Sequence, residues 1–291
     1  MARLSGQLGR QSDAPNGSWN TTPPTNQGRF DPQTDHDNVP PPEEAPPPKA
    51  SSQPSLDPET LPHKSKSFSG IAVRAFLLGE VCASSALATA YLLYFSNPLW
   101  RASFFLASLS LFHFLEFWTT ARYNTRHVGV TAFLLNNGTA YTIAHSAAFV
   151  ECVVVNYLFL DRKWSLGASR ILTIVGLLVM VTGQVARSTA MAQAGKSFNH
   201  IVQTKRSDEH TLITHGLYAY LRHPSYFGFF WWGLGTQLVM GNAFCFLGYA
   251  VILWRFFDHR ISKEEEFLVD FFGKEYEEYK QRTTVGIPFI R

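Results

Sequence analysis

Arg222-His223-Pro224-Ser225-Tyr226 sits where a polar stretch, 199–222, meets an aromatic and apolar one, 226–257. A second polar cluster, Arg260-Ile261-Ser262-Lys263-Glu264-Glu265-Glu266, follows the apolar stretch. The apolar stretch between the clusters reads as two crossings of a bilayer. Both clusters then emerge on the same face. Arg, His and Glu gathered beside membrane spans read as a functional site by default. Arg260 and Glu264 are four residues apart, on one helical face. That spacing has two readings. One is a surface ion pair worth about half a kcal/mol. The other is a planar guanidinium fork offered to a carboxylate.

Six apolar segments are in place to carry these clusters. The first, 69–95, has Arg74 near its start, where the head can snorkel, and Glu80 deeper. Asn97-Pro98 turns the chain into the second, 99–121, where His113 and Glu116 share a face. They read as interhelical hydrogen-bonding groups or as part of a site. The third, 129–160, is too long for one perpendicular helix. Asn136-Asn137-Gly138 would break it into an interfacial piece and a span carrying His145 and Glu151. Asp161-Arg162-Lys163-Trp164 marks the next interface. The fourth, 168–187, continues as an amphipathic helix through Met191, and its Gly176 and Gly183 allow close helix packing. The fifth and sixth, 225–240 and 243–258, are separated only by Gly241-Asn242 and should form a tight helical hairpin. Residues 259–282 then read as an amphipathic or exposed helix, and 284–291 as an extended terminus.

The expected fold class is therefore an all-α integral membrane protein of about six transmembrane helices, with a C-terminal helical hairpin and a cytosolic catalytic region. Six spans put both termini on one side. Lys64, Lys66, Arg122, Arg126 and the 187–224 loop fall on it, while Arg101, Arg162, Lys163 and Arg170 are the main positives opposite. The positive-inside rule places the richer side in the cytosol.

Thirteen of the sixteen prolines fall in residues 1–68, among many Ser, Asn, Gln and Asp. With no periodic apolar face, that stretch is expected to be a disordered cytosolic tail. Residues 69–190 would then hold helices 1–4, and 191–291 the catalytic region with hairpin 225–258. The net charge of +3 is small, and neither a nucleic-acid patch nor a zinc spacing occurs. Cys82, Cys152 and Cys245 lie far apart in apolar segments and read as packing. No cleavable signal peptide and no C-terminal prenylation box are recognised. A glycine-rich GxGxxG loop is missing, which excludes a Rossmann-type fold.

The Arg222–Tyr226 run has companions. Upstream are Ser197-Phe198-Asn199-His200 and Gln203; downstream are Trp254-Arg255-Phe256-Phe257, Arg260, the Glu264–Glu266 triplet and Phe271-Phe272-Gly273-Lys274-Glu275-Tyr276. Together they resemble the isoprenylcysteine carboxyl methyltransferase family, from about Met191 to Ile290. The resemblance implies a multi-pass enzyme of the endoplasmic reticulum membrane, with both termini cytosolic. It implies S-adenosylmethionine as methyl donor and, as acceptor, the free C-terminal carboxylate of a farnesyl- or geranylgeranyl-cysteine. Partners would be prenylated CaaX proteins of the small-GTPase type and membrane lipid, with no metal and no nucleic acid. It assigns Arg260, with Tyr226, to the substrate carboxylate and Glu264 to the cofactor side. Cofactor contacts fall on Gln203, His210, Thr211, Leu212, Ile213, Tyr218, Arg222, His223, Pro224 and Ser225. His200 and His215 read as structural.

The residue types suit that reaction. An acceptor carboxylate is ionised at neutral pH and needs no general base. A sulfonium donor carries its own leaving group, so the work is in-line alignment and exclusion of water. Pro224 suits the first turn of the fifth span, where free N–H groups can meet a carboxylate. Phe227, Phe229, Phe230, Trp231 and Trp232 read either as a passage for the prenyl chain or as lipid-facing packing. The alternative enzyme is a phospholipid N-methyltransferase, which shares the RHPxY run. Its amine acceptor must lose a proton, and a carboxylate-binding Arg would be out of place there. A sterol reductase would need nicotinamide binding, and a non-catalytic membrane scaffold is the reading from a different class.

Overall fold

A computed structural model describes residues 57–158, 170–206 and 211–291, all within the unit Pro54–Arg291. Among them the chain is helical: α1 (Phe68–Tyr94), α2 (Trp100–Tyr123), α3 (Thr139–Leu158), α4 (Arg170–Ala194), α5 (Pro224–Met240), α6 (Ala243–Phe272) and α7 (Lys274–Arg282). Three stretches, Phe68–Tyr94, Trp100–Tyr123 and Arg170–Ser197, are long and apolar enough to cross a membrane.

The boundaries have local causes. Ser67 caps α1 by accepting the Gly70 N–H at 3.1 Å. The Asn97 side chain accepts the Leu99 N–H at 3.0 Å and shapes the turn into α2. The long third segment breaks as expected, into a turn at Val130–Phe133 and then α3. Pro224 opens α5, and Gly241, at φ 77°, ends it.

Three expectations are corrected. First, the helix expected over 259–282 is present, but it does not start separately after the sixth span: α6 runs straight through residue 258. Phe257, Ile261 and Glu265, four apart, all face inward, so the helix keeps its buried stripe and runs to Phe272, stopping at Gly273. Second, Arg101 is not a loop cation. It is 6% exposed, and its Nη1 donates to the Val239 carbonyl at 2.6 Å in the last turn of α5. Third, residues 57–67 are folded rather than tail: Asp57 caps a turn at Pro58–Thr60, and the Ser65 carbonyl accepts the Val130 N–H at 2.8 Å. Residues 1–56, expected as disordered, and Asp161–Trp164, expected at an interface, lie outside the described residues.

The core is built on α4 against α5. A Cβ on Gly183 would lie 2.5 Å from Trp232 N, one on Gly235 2.5 Å from Met180 N, and one on Gly228 2.6 Å from Arg187 N. The two backbones therefore touch with no side chain between them. Phe112 of α2 stacks on Trp232 with ring centroids 4.5 Å apart. Phe230 and Trp232 are buried, and the Trp231 indole donates to the Gly286 carbonyl at 3.3 Å. Those aromatics thus pack the bundle and hold the C-terminal segment. From α3, the Glu151 carboxylate accepts the N–H groups of Phe244 and Cys245 at 2.9 and 2.7 Å, capping α6. Asn242 donates to the Ala148 carbonyl at 2.9 Å. The three cysteines are free thiols.

The seam makes Gly183 and Gly248 differ sharply, since a Cβ at Gly248 meets nothing within 4 Å. Gly183→Ala should cost about 2 kcal/mol as the helices are forced apart, while Gly248→Ala should be neutral or slightly stabilising. Thermal unfolding of the detergent-solubilised variants checks this; equal melting temperatures would show that the α4–α5 contact is looser than described.

Candidate active site

The loop between α4 and α5, the first turn of α5 and the C-terminal half of α6 enclose a pocket. It is lined by Ser197, Phe198, Asn199, Thr211, Leu212, Ile213, Tyr218, Arg222, His223, Pro224, Ser225, Tyr226 and Glu264, with Leu268, Phe272, Tyr276 and Tyr279 behind. The 197–199 wall is fixed from α2: Asn124 Nδ2 donates to the Phe198 carbonyl at 2.7 Å. Leu221 bridges to Thr284, so the C-terminal segment braces the turn that carries Arg222 and His223.

The three consecutive glutamates of α6 point in different directions, as successive helical residues must. Glu265 is buried. It accepts from Arg222 Nε at 2.5 Å and lies 3.2 Å from His223 Nε2 and 2.5 Å from Lys280 Nζ of α7. Arg222 Nη1 also donates to the Thr283 carbonyl at 3.1 Å. Burial alone would raise the Glu265 carboxyl, but the bonds from His223, Arg222 and Lys280 outweigh it and hold the group down at about 2. The Arg222 and His223 side chains are therefore engaged with Glu265 beneath the pocket.

Glu264 faces the pocket and accepts a hydrogen bond from the Tyr226 hydroxyl. The same hydroxyl accepts from Arg260 Nε at 2.8 Å. Arg260 and Glu264 are thus joined through Tyr226 rather than as a surface ion pair. Arg260 Nη2 donates to the His200 carbonyl at 2.5 Å, which leaves Nη1 without a hydrogen bond among the described residues. Burial brings the His200 imidazole down to about 4, so it is neutral at physiological pH. Beyond Arg260 lies a groove of about 670 Å³ lined by Val202, Thr204, Arg255, Phe256, His259, Arg260, Lys263 and Phe267. Tyr226 and Arg260 stand where the pocket and the groove adjoin.

Most residues expected at the site converge on this pocket. Gln203 does not: its amide donates to the nearby Ile201 carbonyl at 3.0 Å, and it lines neither cavity. His210 lies outside the described residues. His215 is exposed. The sequence reading passed over Glu265, Lys280 and Arg187. The signal for Glu265 was the buried four-residue spacing after Phe257 and Ile261; for Arg187, an Arg two turns after Met180 on an apolar helix. Glu116 was noted, and it does bond between helices: Arg187 of α4 grips it with Nε and, at 2.8 Å, Nη2.

The chain is similar to known proteins in sequence and fold. The sequence profile of the isoprenylcysteine carboxyl methyltransferase family matches residues 174–270. The chain is 49% identical over 189 residues to protein-S-isoprenylcysteine O-methyltransferase of Saccharomyces cerevisiae, covering 64% of this chain and 79% of that one. It is 42% identical over 225 residues to the Homo sapiens enzyme of the same name, covering 76% and 75%. A solved structure of a eukaryotic intramembrane Ras methyltransferase, an isoprenylcysteine carboxyl methyltransferase, superposes with a TM-score of 0.70 at 38% identity, over 76% of this chain and 77% of that one.

The Glu265 cluster predicts a pH signature. Its carboxyl lies below the ordinary 4.5 in the folded chain, so its contribution is complete above about 4.5 and is lost as pH falls towards 2. Glu265→Gln should destabilise the protein by about 3 kcal/mol at pH 7, because Arg222 is left buried without its counter-charge. The gap from the parent should close as pH falls from about 4.5 towards 2. Unfolding followed by intrinsic fluorescence across this range tests it; a gap that is independent of pH would mean that Glu265 is not held ionised.

Proposed function

The chain belongs to the isoprenylcysteine carboxyl methyltransferase family, and on that premise we propose how its two cavities divide the reaction. It is an enzyme that methyl-esterifies the C-terminal carboxylate of a prenylated cysteine. The pocket beneath α5 takes the methyl donor, and the groove beside α6 takes the acceptor. The observation that carries this division is the Tyr226 hydroxyl, bonded at once to Arg260 on the groove and Glu264 in the pocket.

S-adenosylmethionine is the donor that family membership implies, and it supplies a methyl group on an activated sulfonium. The pocket fits it by its own chemistry. The first turn of α5 offers the Ser225 N–H and hydroxyl to an anionic end. Glu264 is the pocket's carboxylate outside the Glu265 cluster and faces a cationic portion. Phe198, Leu268 and Phe272 give flat and aliphatic walls for a base, beside the Leu212-Ile213 backbone and Tyr218.

The groove fits a lipid-attached anion. Phe256, Phe267 and Val202 line it for an isoprenoid chain, and Arg260 stands at its junction with the pocket. Arg260 is held from two sides, by Tyr226 and the His200 carbonyl, so its remaining N–H groups are preorganised for a carboxylate oxygen. No side chain has to remove a proton, because the acceptor is already ionised. The protein's contribution is to fix the line between carboxylate and donor and to keep water out. The same reading makes six helices span the membrane, with α5 and α6 as a hairpin and both termini cytosolic. It places the enzyme in the endoplasmic reticulum, acting on prenylated CaaX proteins of the small-GTPase type.

Arg260→Lys keeps the charge and loses the planar fork. It should lower turnover sharply and leave donor binding intact. Glu264→Gln should instead weaken donor binding, by about ten- to a hundred-fold for a lost charge-assisted hydrogen bond. Calorimetry with S-adenosylhomocysteine, without acceptor, separates the two. If Arg260→Lys abolishes binding and Glu264→Gln binds normally, the two roles are reversed; if both variants bind and turn over normally, the site is misplaced.

A further inference from the structure

Glu116 lies within α2, 1% exposed, at a depth where an ionised carboxylate needs a full partner. Arg187 of α4 supplies it with a two-point fork, at 2.8 Å through Nη2 and by a second bond from Nε. The third donor of Arg187, Nη1, leaves the pair and reaches Ser225: 3.0 Å to Oγ and 3.3 Å to the carbonyl. The guanidinium packs against Phe112 and Phe229, whose ring centroids lie 5.5 and 5.2 Å away and which meet edge to face beside it. On its other side, Glu116 Oε2 is 3.8 Å from His200 Nδ1. The carbonyl of that same His200 receives Arg260 Nη2 at 2.5 Å.

The pair therefore bonds Ser225, an anchor of the donor pocket, lies beside the His200 whose carbonyl holds Arg260, and lines neither cavity. Ser225 belongs to the donor pocket, and Arg260 to the acceptor groove. A purely structural ion pair would not need either connection: apolar residues of like volume usually replace a buried pair at no loss of stability. What such residues cannot replace is a fixed point from which both anchors are held. Misplacing reacting groups by about 1 Å can cost a hundred-fold in rate.

We propose that Glu116 and Arg187 are positioning residues for methyl transfer, setting the donor pocket through Ser225 and the acceptor-binding Arg260 through His200. The inference rests on the donor and acceptor cavities assigned above. It adds two membrane-embedded residues, from α2 and α4, to a site otherwise built from the 197–226 loop and α6.

The test exchanges the pair for apolar residues. Glu116→Gln alone leaves Arg187 buried without its counter-charge and should melt several degrees lower. The double variant Glu116→Leu/Arg187→Met should recover the parent melting temperature to within about 3 °C. It should nevertheless bind S-adenosylhomocysteine about ten-fold more weakly in calorimetry, because Ser225 has lost its tether, and show kcat lower by about a hundred-fold. A double variant that melts, binds and turns over like the parent overturns the proposal and leaves the pair structural. Should the double variant not fold, Arg187→Lys serves. It keeps the charge but cannot hold Glu116 at two points and Ser225 together, so kcat should fall at least about ten-fold with the melting temperature kept; unchanged kcat there also overturns the proposal. If the parent itself binds no S-adenosylhomocysteine, the assignment of the donor pocket fails first, and the two failures are distinguishable.

Discussion

The backbone contact between α4 and α5 sets the distances on which everything else depends. With glycine at 183, 228 and 235, the helices meet main chain to main chain. That contact presses Gly228 against the Arg187 backbone and brings the Arg187 guanidinium within hydrogen-bonding distance of Ser225, in the first turn of α5. A methyl group at the seam would move the start of α5, and with it Ser225 and Tyr226. The helix-borne part of the site, Ser225, Tyr226, Arg260 and Glu264, is thus placed by rigid elements, the arrangement that holds reacting groups most closely, while the 197–223 loop closes the pocket around it.

Charge burial is the second constraint, and each carboxylate answers it differently. Glu116, inside the bundle, is gripped by Arg187. Glu265 is met by Arg222, His223 and Lys280. Glu264 meets a tyrosine hydroxyl and no cation among the described residues, so it retains capacity for a ligand. Successive residues of α6 are rotated by about 100°. One Glu-Glu step therefore separates a carboxylate that holds the scaffold from one that faces the pocket. Arg260 is treated in the same way as Glu264: it is held by neutral oxygens from Tyr226 and His200, and no acid neutralises it among the described residues.

Much of this was legible from sequence because the signals are local. Long apolar runs, the Asn136–Gly138 break, Pro224 and Gly241 mark elements by their own backbone preferences, and Gly176 and Gly183 announce a close helix contact. The Arg222–Tyr226 run and Glu264 fall on the lining of the pocket, and Arg260 on that of the groove. What was not legible depended on partners distant in sequence. Arg187 finds Glu116 71 residues away, and Arg222 finds Glu265 43 away. Neither pairing has a periodicity to reveal it. The helical character of 259–282 was legible, but its unbroken continuity with the sixth span was not, because the inward Ile261 and Glu265 that keep α6 packed stand among charged residues. Gln203 looked like a pocket residue because it is polar and lies in the loop, but its amide is satisfied by the loop's own backbone.

The central claim is that Arg260 recognises a free carboxylate on a lipid-attached cysteine, delivered through the groove to the donor pocket. Transfer of label from methyl-labelled S-adenosylmethionine by the purified protein tests it most directly, with four acceptors compared: N-acetyl-S-farnesylcysteine, its carboxamide, N-acetylcysteine without the prenyl chain, and phosphatidylethanolamine. The account predicts label in the first alone, released by mild base as a methyl ester is. Base-stable label in phosphatidylethanolamine, or equal labelling of the carboxamide, would contradict it.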